Sequence, residues 1–405
     1  MRQSGRWTDE IARRPMALLA LLGLGGLLVL AVYAPLLASD LPLTMMLDGE
    51  RSYPFFANLF NRSYYEGSVD LSFNQAIFTL PIAVLLLLFT GRRRLLRWAA
   101  VAVLLLPAVW VCSDPLSSLS SRPEVGLAGV LGWYEAPFPQ PRAQLQRAEA
   151  EGREYAAVFP PVAYSFRATS RDISQPPSWQ HPLGTDHLGR DVMARLLFGT
   201  RIALVVGILS VLLYLAIGVP LGALSGYLGG RFDLLVQRLI EVMLCFPSLF
   251  LIMTLAAIVQ EASIFHVMLI IGLTRWTEPA RLVRAEFLRL RNEDFVQAAR
   301  ASGARSARVI FRHILPNAMG PVLVTATFGV AGAILIESTL SFLGLGNPSL
   351  PTWGKILNDG RVFRNTTMIL APGLAIFLSV SLLNLLGEAL RDALDPKLRG
   401  GDGRG

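Results

Sequence analysis

Charged side chains are scarce in this sequence. They make up 16% of its 405 residues, against 53% hydrophobic residues, whereas soluble globular proteins average about 25% charged residues. Lysine occurs only at Lys355 and Lys397, so the net charge of +8 is carried by arginine. The deficit of charge excludes an ordinary soluble domain. Since the arginines lie between apolar runs, we interpret the basic excess as contact with a lipid surface rather than with nucleic acid.

Cysteine and recognisable catalytic motifs are also lacking. Cys112 and Cys245 lie far apart, each in or beside an apolar run, which excludes a disulfide framework and a cysteine metal site. The sequence contains no His-Glu-x-x-His motif, which argues against an intramembrane protease, and no Gly-x-x-x-x-Gly-Lys-[Ser/Thr] phosphate loop. We therefore predict no catalytic residue, no metal site and no cofactor bound by this chain.

Long apolar runs are what the sequence has in abundance. A membrane-spanning helix requires about 20 mostly apolar residues. The first run is longer than the apolar region of a signal peptide, about 7–15 residues, so we predict an uncleaved spanning helix there. In all we predict eight spans: Met16–Ser39, Asn74–Thr90, Trp98–Ser113, Ile202–Gly230, Val242–Gln260, Ile264–Val283, Ile314–Ile336 and Asn365–Gly387.

The arginines predict the orientation of these spans, because short cytoplasmic segments of membrane proteins are enriched in Lys and Arg. Arginines cluster in the N-terminal tail, at Arg92–Arg97, at Gly226–Arg238 and at Arg281–Arg312. An even number of spans then places both termini in the cytoplasm. The segments 40–73, 114–200, 261–263 and 337–364 are predicted to lie outside.

The segment before the main run of spans is rich in proline and charge, and we expect it to be irregular, with a short helix near Ala143–Tyr155. His181 and His187 flank Asp186 in this region. A metal site is conceivable there, but the neighbouring glycines favour a turn. Asp191 and Arg195, at i and i+4, predict a short surface helix.

The most informative local pattern begins at Asp294. A short helix containing Ala298 and Ala299 can end at Gly303, because glycine tolerates the left-handed cap. A second helix, Ser306–Ile314, is expected to follow, and Pro316 fits the first turn of the next span. We call Asp294–Pro316 the elbow. Its predicted shape suits docking into a groove on a partner protein, although an ordinary basic loop is the alternative.

The elbow resembles the EAA loop of ABC importer permeases, whose pattern is Glu-Ala-Ala, three residues, Gly, nine residues, Ile, any residue and Leu-Pro. Gln297 replaces the Glu and His313 replaces the Ile. The other positions of the pattern match. The predicted ATPase-coupling residues are therefore Asp294, Gln297, Ala298, Ala299, Gly303, Leu315 and Pro316.

Further stretches resemble the peptide-transporting branch of that family, including its dipeptide, oligopeptide and microcin C types. The resemblance covers about Pro182 to Arg399. The segments that carry it are His181–Asp191, Asp233–Pro247, Ser341–Gly346 with Trp353-Gly354, Pro372–Ile376 and Arg391–Pro396, and Leu47–Arg51 adds a weaker N-terminal match.

The resemblance implies an all-α, polytopic transmembrane helix bundle with a type I ABC importer permease core and an extra N-terminal helix hairpin. The implied organisation is 1–39 for the tail and first helix, 40–113 for a loop and the hairpin, 114–190 for a periplasmic loop, and 191–399 for a five-helix core with its coupling loop at about 294–316. The implied location is the bacterial inner membrane.

The function implied by the resemblance is ATP-driven import of peptides. The implied partners are a second homologous permease, two cytoplasmic ABC ATPases and a periplasmic peptide-binding protein, with ATP used by the ATPases. Nickel-complex or glutathione cargo remains an alternative within the class. An ATP-independent channel or secondary transporter is the alternative outside it, but no internal repeat of the kind common in such transporters is visible.

Two smaller features complete the candidate residues. Gly218, Gly222 and Gly226 recur at spacing four in one apolar run, a pattern that lets membrane helices approach closely; we predict a packing role. Glu337 follows the apolar run that ends at Ile336. It is predicted either to be solvated at the outer edge of the membrane or to serve as a gate or pathway residue.

Overall fold

Helices make up most of the protein in this computed structural model, which describes residues 15–61, 64–65, 67–89, 101–103, 141–258 and 263–394. The predicted helical class is confirmed. The helices are α1 Pro15–Leu37, α2 Pro54–Ala57, α3 Ser68–Phe89, α4 Pro141–Ala150, α5 Val192–Leu228, α6 Gly230–Cys245, α7 Ser248–Ile258, α8 Ile264–Arg275, α9 Thr277–Leu290, α10 Asp294–Ala301, α11 Ser306–Arg308, a π-helix Val309–Ile314, α12 Leu315–Phe342, α13 Trp353–Val362 and α14 Thr366–Leu394.

Within the described ranges, five helical segments are long and apolar enough to cross a membrane: α1, α3, α5, α12 with the short helices before it, and α14. Most of the predicted span Trp98–Ser113, the Arg92–Arg97 cluster and the N-terminal arginines lie outside the described residues. The described part of the predicted hairpin is therefore α3, which begins at Ser68, earlier than the expected Asn74.

The predicted single span Val242–Gln260 is wrong, because the chain bends there. Helices α6 and α7 meet at an angle of 81°, and Phe246 between them has extended backbone angles of φ −97° and ψ 129°. The following Pro247 explains the break, since proline disfavours helical geometry in the residue before it. At most, this bent pair counts as a sixth span among the described helices.

The predicted span Ile264–Val283 is also replaced by two helices, α8 and α9, which meet at Trp276. Ser263 caps the start of α8 by accepting a hydrogen bond from the backbone N–H of Phe265. Helix α9 continues past the expected end, to Leu290. Helix α9 carries Glu278 and Arg281, while Arg275 is the last residue of α8, and α9 leads directly toward the elbow.

A small antiparallel sheet, which the sequence analysis did not predict, has the strand order β2-β1-β3. Strands β1 Thr44–Leu47 and β2 Glu50–Ser52 are joined by Asp48 and Gly49, both with positive φ, as a two-residue hairpin turn requires. Strand β3 Tyr155–Val158 pairs with β1 and follows α4, which matches the short helix expected near Ala143.

The chain divides into two units that interleave in sequence. Among the described residues, the elbow unit comprises those within 15–26, 203–349 and 373–394, and the sheet unit comprises those within 27–202 and 350–372. The core of the sheet unit includes Phe55, Tyr65 and Phe198. The core of the elbow unit includes Phe287 and Ile314. Burying each such side chain stabilises the fold by roughly 1.5–3 kcal/mol.

Candidate functional site

The first helix of the elbow ends in a Schellman motif. The backbone N–H of Gly303 donates to the carbonyl of Arg300 at 2.9 Å, and that of Ala304 donates to the carbonyl of Ala299 at 3.1 Å. Gly303 has φ +76°, a conformation that glycine adopts without steric cost. The local sequence therefore fixes the turn of the elbow at the predicted residue.

The second part of the elbow differs from the single helix predicted over Ser306–Ile314. After α11, the chain forms a π-helix that runs without a gap into α12, with the N–H of Leu315 donating to the carbonyl of Ile310. Pro316 lies at the junction of the π-helix and α12, where its fixed φ is compatible with helical geometry. The elbow is thus joined rigidly to the long helix that follows it.

The elbow is held by an apolar core beneath it. Val296 from α10 and Val309, Ile310 and Ile314 from the π-helix are buried together with Phe287 from α9. Each of these contacts withdraws apolar surface from water. The elbow therefore packs directly on α9 and is continuous with α12.

The outer surface of the elbow carries most of the residues predicted from sequence. Asp294, Gln297, Ala298, Gly303 and Pro316 are exposed, while Ala299 and Leu315 are half-buried. The sequence analysis missed two aromatic residues on this surface. Phe295 is 40% exposed and Phe311 is 67% exposed. A large apolar residue on the polar side of each short helix was the sequence pattern that could have indicated them.

Three glycines of α5 lie directly against α9 and the residue before it. A Cβ atom built on Gly222 would lie 2.4 Å from the carbonyl oxygen of Ala280, and one on Gly218 would lie 2.5 Å from that of Trp276. For Gly226 the distance to the carbonyl oxygen of Arg284 would be 2.7 Å. Only glycine permits the two backbones to come this close.

An ion pair that was not predicted from the sequence joins α6 and α9. Arg284 on α9 donates two hydrogen bonds to Asp233 on α6, at 2.6 and 2.7 Å. Ser225 on α5 donates to the same carboxylate. Arg291 donates to the carbonyl of Gly226 at 3.2 Å. The bidentate geometry is the strong form of such pairs, and it ties α5, α6 and α9 together.

Glu337 lies within α12, because this helix continues to Phe342. Its side chain is buried, and Ser341 donates a hydrogen bond to it at 2.7 Å. The alternative of a solvated glutamate at the helix end is therefore wrong. A gate or pathway role for Glu337 stays a prediction.

The sheet unit contains a buried charged cluster. Asp186 accepts hydrogen bonds from Arg190 and Arg195, each at 2.7 Å. Asp359 on α13 pairs with Arg195 at 3.3 Å and with Lys355 at 2.8 Å. The short surface helix predicted from Asp191 and Arg195 is wrong, because both side chains are buried and the helix there is the start of the long α5. Asp191 accepts a hydrogen bond from His181 at 2.8 Å.

The turn expected at this cluster is present. Gly184 and Gly189 have positive φ, and Asp186 accepts from the backbone N–H groups of Leu188 and Arg190 at 2.9 Å. Possible ligand atoms of Asp186, His187 and Asp359 lie within 4.8 Å of one another. Both carboxylates are already engaged by arginine or lysine, so this arrangement favours an internal ion network over a metal site.

We expect this cluster to make stability depend on acid pH. Burial acts to raise the pKa of Asp186, but Arg195, Arg190 and the backbone donors outweigh burial, so this pKa lies below its usual value. A carboxyl with a lowered pKa stabilises the fold above its unfolded pKa of about 3.9, and this contribution is lost as the pH falls through the folded pKa. The stability advantage of the natural chain over Asp186→Asn should therefore be full at pH 5–7 and shrink below about pH 4.

Circular dichroism of thermal unfolding of the solubilised chain, measured across this pH range, checks the expectation. Comparing the natural chain with Asp186→Asn cancels the contribution of Asp191, whose pKa is raised by burial. The pKa of His187 is lowered by burial and this lowering is opposed by the charge of Asp186, so His187 belongs to the difference that is measured. A stability difference that stays constant from pH 7 to pH 3 would contradict the assignment.

Comparison with known proteins gives consistent matches. Residues 218–400 match the family described as "Binding-protein-dependent transport system inner membrane component". The dipeptide transport system permease protein DppC of Alkalihalophilus pseudofirmus is 40% identical over 249 residues, which cover 60% of this chain and 82% of the relative. The oligopeptide transport system permease protein OppC of Bacillus subtilis is 38% identical over 249 residues, covering 60% and 81%. The glutathione transport system permease protein GsiD of Pectobacterium atrosepticum is 40% identical over 234 residues, covering 56% and 76%.

Proposed function

Because this chain belongs to the family of binding-protein-dependent transport system inner membrane components, and is therefore a multi-pass permease subunit of an ABC importer, we propose that its cargo is short peptides. The observation that carries this proposal is the identity of about 40% to permeases named for dipeptide and oligopeptide transport. Glutathione is a second candidate cargo, favoured by the similarity to GsiD. Glutathione is itself a small peptide, so both candidates belong to one chemical class.

The importer works with partner ATPases and a substrate-binding protein. We propose the specific composition of a second homologous permease, two cytoplasmic ATPases and one periplasmic peptide-binding protein. In this proposal the chain itself binds no cofactor and carries no catalytic residue, and ATP is used by the partner subunits. The relatives are named as permeases rather than enzymes, which supports this division of labour.

We propose the elbow as the surface on which an ATPase docks. Its exposed aromatic residues, Phe295 and Phe311, provide the kind of large apolar anchors that dominate protein interfaces. Its buried face connects the docking surface to α9 and α12. A movement of the ATPase is then carried into the membrane-spanning helices. On this basis the elbow and both chain termini lie in the cytoplasm.

The sharpest test of the elbow uses the positive φ of Gly303. A β-branched residue strongly disfavours this conformation, whereas asparagine adopts it several-fold more readily than most residues. Gly303→Val should therefore distort the turn at a cost of about 1–3 kcal/mol. We expect the tagged Gly303→Val complex, purified from membranes, to lose its ATPase subunits and at least about nine-tenths of ATP-dependent dipeptide uptake in proteoliposomes.

Gly303→Asn is the matched control, because it adds a side chain of similar size and keeps the backbone conformation accessible. A Cβ at this position meets no other atom within 4 Å, so a steric clash does not explain a difference between the two variants. Equal ATPase recovery and uptake in the natural chain and Gly303→Val would remove the elbow from the coupling mechanism. Peptide uptake that is independent of ATP would replace the importer with a channel or secondary transporter.

A further inference from the structure

A cavity of about 690 Å³ lies in the elbow unit among α6, α7, α8 and α9. Its volume falls in the range of about 300–1,000 Å³ that is typical of small-molecule sites. The lining combines apolar residues such as Leu244 and Leu282 with an unusual concentration of polar and charged side chains. The polar residues that matter here are Gln237, Arg275, Glu278, Arg281 and Arg284.

The charges at the cavity leave one cation uncompensated. Arg275 pairs with Glu278 at 3.2 Å, and Arg284 is engaged by Asp233 in the bidentate pair described above. Arg281 lies between these pairs on the same helix, and within the described part of the chain it has no ion pair or side-chain hydrogen bond. The lining therefore offers a single guanidinium, which matches one singly charged planar anion.

A second unsatisfied donor lies opposite, on α6. The amide nitrogen Nε2 of Gln237 is buried and has no hydrogen-bond partner among the described residues. Leaving a buried donor unpaired destabilises the protein. An acceptor atom held in the cavity would remove this cost. Gln237 and Arg281 are both hydrogen-bond donors without an acceptor in the described ranges, so both can bind a ligand oxygen that accepts hydrogen bonds.

The position of these groups along α9 suits contact with an anion in transit. On the proposed orientation, Arg281 lies nine residues before the end of α9, which is about 13 Å along the helix from the start of the elbow. Helix α9 is not among the described helices that are long and apolar enough to cross a membrane, so a charge on it can face water. The exposure of Arg281 is consistent with a wet path.

We propose that this cavity binds the C-terminal carboxylate of a peptide during its passage, with Arg281 pairing with the carboxylate and Gln237 donating a further hydrogen bond to it. The inference rests on the proposed peptide import and adds a specificity determinant to it. The apolar lining at Leu244 and Leu282 accommodates a side chain next to the carboxylate. The phosphate of an anionic lipid shares this anion chemistry, and the test below distinguishes the two sources.

The test compares uptake of a dipeptide with a free C-terminus and uptake of the same dipeptide as its C-terminal amide. The complete transporter, with its binding protein, is assayed in proteoliposomes of phosphatidylcholine with and without phosphatidylglycerol. The readout is the acid-to-amide ratio of initial rates, relative to the natural chain, so any preference of the binding protein cancels. Arg281→Gln should lower this ratio at least about tenfold, because hydrogen bonds to charged groups contribute about 1.5–3 kcal/mol. Gln237→Leu should lower it by a smaller factor.

Arg238→Gln is the matched control, since Arg238 is next to Gln237 but points outward and pairs with Glu241 in an exposed position; its ratio should stay unchanged. Retained uptake of the amide shows that Arg281→Gln folds and assembles. Equal loss of acid and amide, or loss of neither, overturns the carboxylate site. A ratio that is unchanged, combined with a dependence on phosphatidylglycerol that disappears in Arg281→Gln, overturns it in favour of a lipid phosphate. If the natural chain imports neither peptide under any condition, the proposed function fails as well.

Discussion

Replacing Asp70 by leucine is expected to destabilise the protein by about 3–5 kcal/mol, because it leaves a fully buried arginine without its counter-charge. Arg201 on α5 is 0% exposed and donates to the Asp70 carboxylate at 3.0 Å. Its other donors are directed to the carbonyls of Ala31 and Val32 and to Asn74. Chemical denaturation of the solubilised chain, followed by circular dichroism, measures the loss.

Asp48→Asn provides the control for this prediction, because asparagine removes the charge and tolerates the positive φ of this turn position. Asp48 pairs with Arg153 at 2.9 Å, but both side chains are about half exposed, and exposed pairs of this kind contribute about 0–1 kcal/mol. The double variant Asp70→Leu with Arg201→Met should recover part of the loss, since a buried ion pair can often be replaced by apolar residues at little cost. Similar effects of Asp70→Leu and Asp48→Asn would show that Arg201 does not depend on Asp70.

The Arg201 cluster also gives the N-terminal part of the chain a structural purpose. Asp70 and Asn74 belong to α3, the described helix of the hairpin for which the importer resemblance offered no counterpart. Within the sheet unit, this helix satisfies a charge on α5, the first helix of the predicted permease core. The rings of Phe73 and Phe198 cover the guanidinium at 5.2 and 4.9 Å. Helix α3 is therefore an integral part of this unit and not an independent addition.

Local signals in the sequence predicted the features that depend on neighbouring residues. Gly303 marked the end of α10 because one residue type suits its backbone conformation, and Pro316 marked the start of α12 for a similar reason. The apolar runs predicted the long helices, because the length and the apolar composition of a run are enough to identify a membrane-spanning helix. Pro247 in the sequence could likewise have predicted the bend before it. The apolar composition on both sides of Pro247 favoured a single span instead.

Features that depend on distant residues could not be predicted. The start of α5 was placed at Ile202, after the charged residues, whereas the helix begins at Val192. Arg195 and Arg201 are tolerated inside this helix because both are paired, Arg195 with Asp186 and with the distant Asp359, and Arg201 with the distant Asp70. Without those pairings a buried arginine is too costly to expect.

The close contact between α5 and α9 leads to the second large expected effect. Gly222→Leu should separate these helices, because even its Cβ would lie 2.4 Å from the carbonyl oxygen of Ala280 and 3.0 Å from the Cβ of Val283. A backbone carbonyl cannot relieve the clash by changing rotamer, as a side chain can. The loss of stability should therefore reach or exceed the 1–3 kcal/mol typical of overpacking. Since α9 leads to the elbow, we also expect ATP-dependent uptake to fall at least about tenfold.

Gly25→Leu tests whether this effect comes from the helix contact or from adding leucine to any apolar helix. Gly25 lies on α1, and a Cβ there meets no atom within 4 Å, so its replacement should leave stability and uptake close to those of the natural chain. Gly222→Ala should fall between the two, because it adds the clashing atom without the rest of the side chain. If Gly222→Leu and Gly25→Leu behave alike, the α5–α9 contact does not connect the membrane-spanning helices to the elbow. If they differ as expected, the glycines at 218, 222 and 226 are the reason that a movement at the elbow reaches α5, since they allow backbone to press directly on backbone.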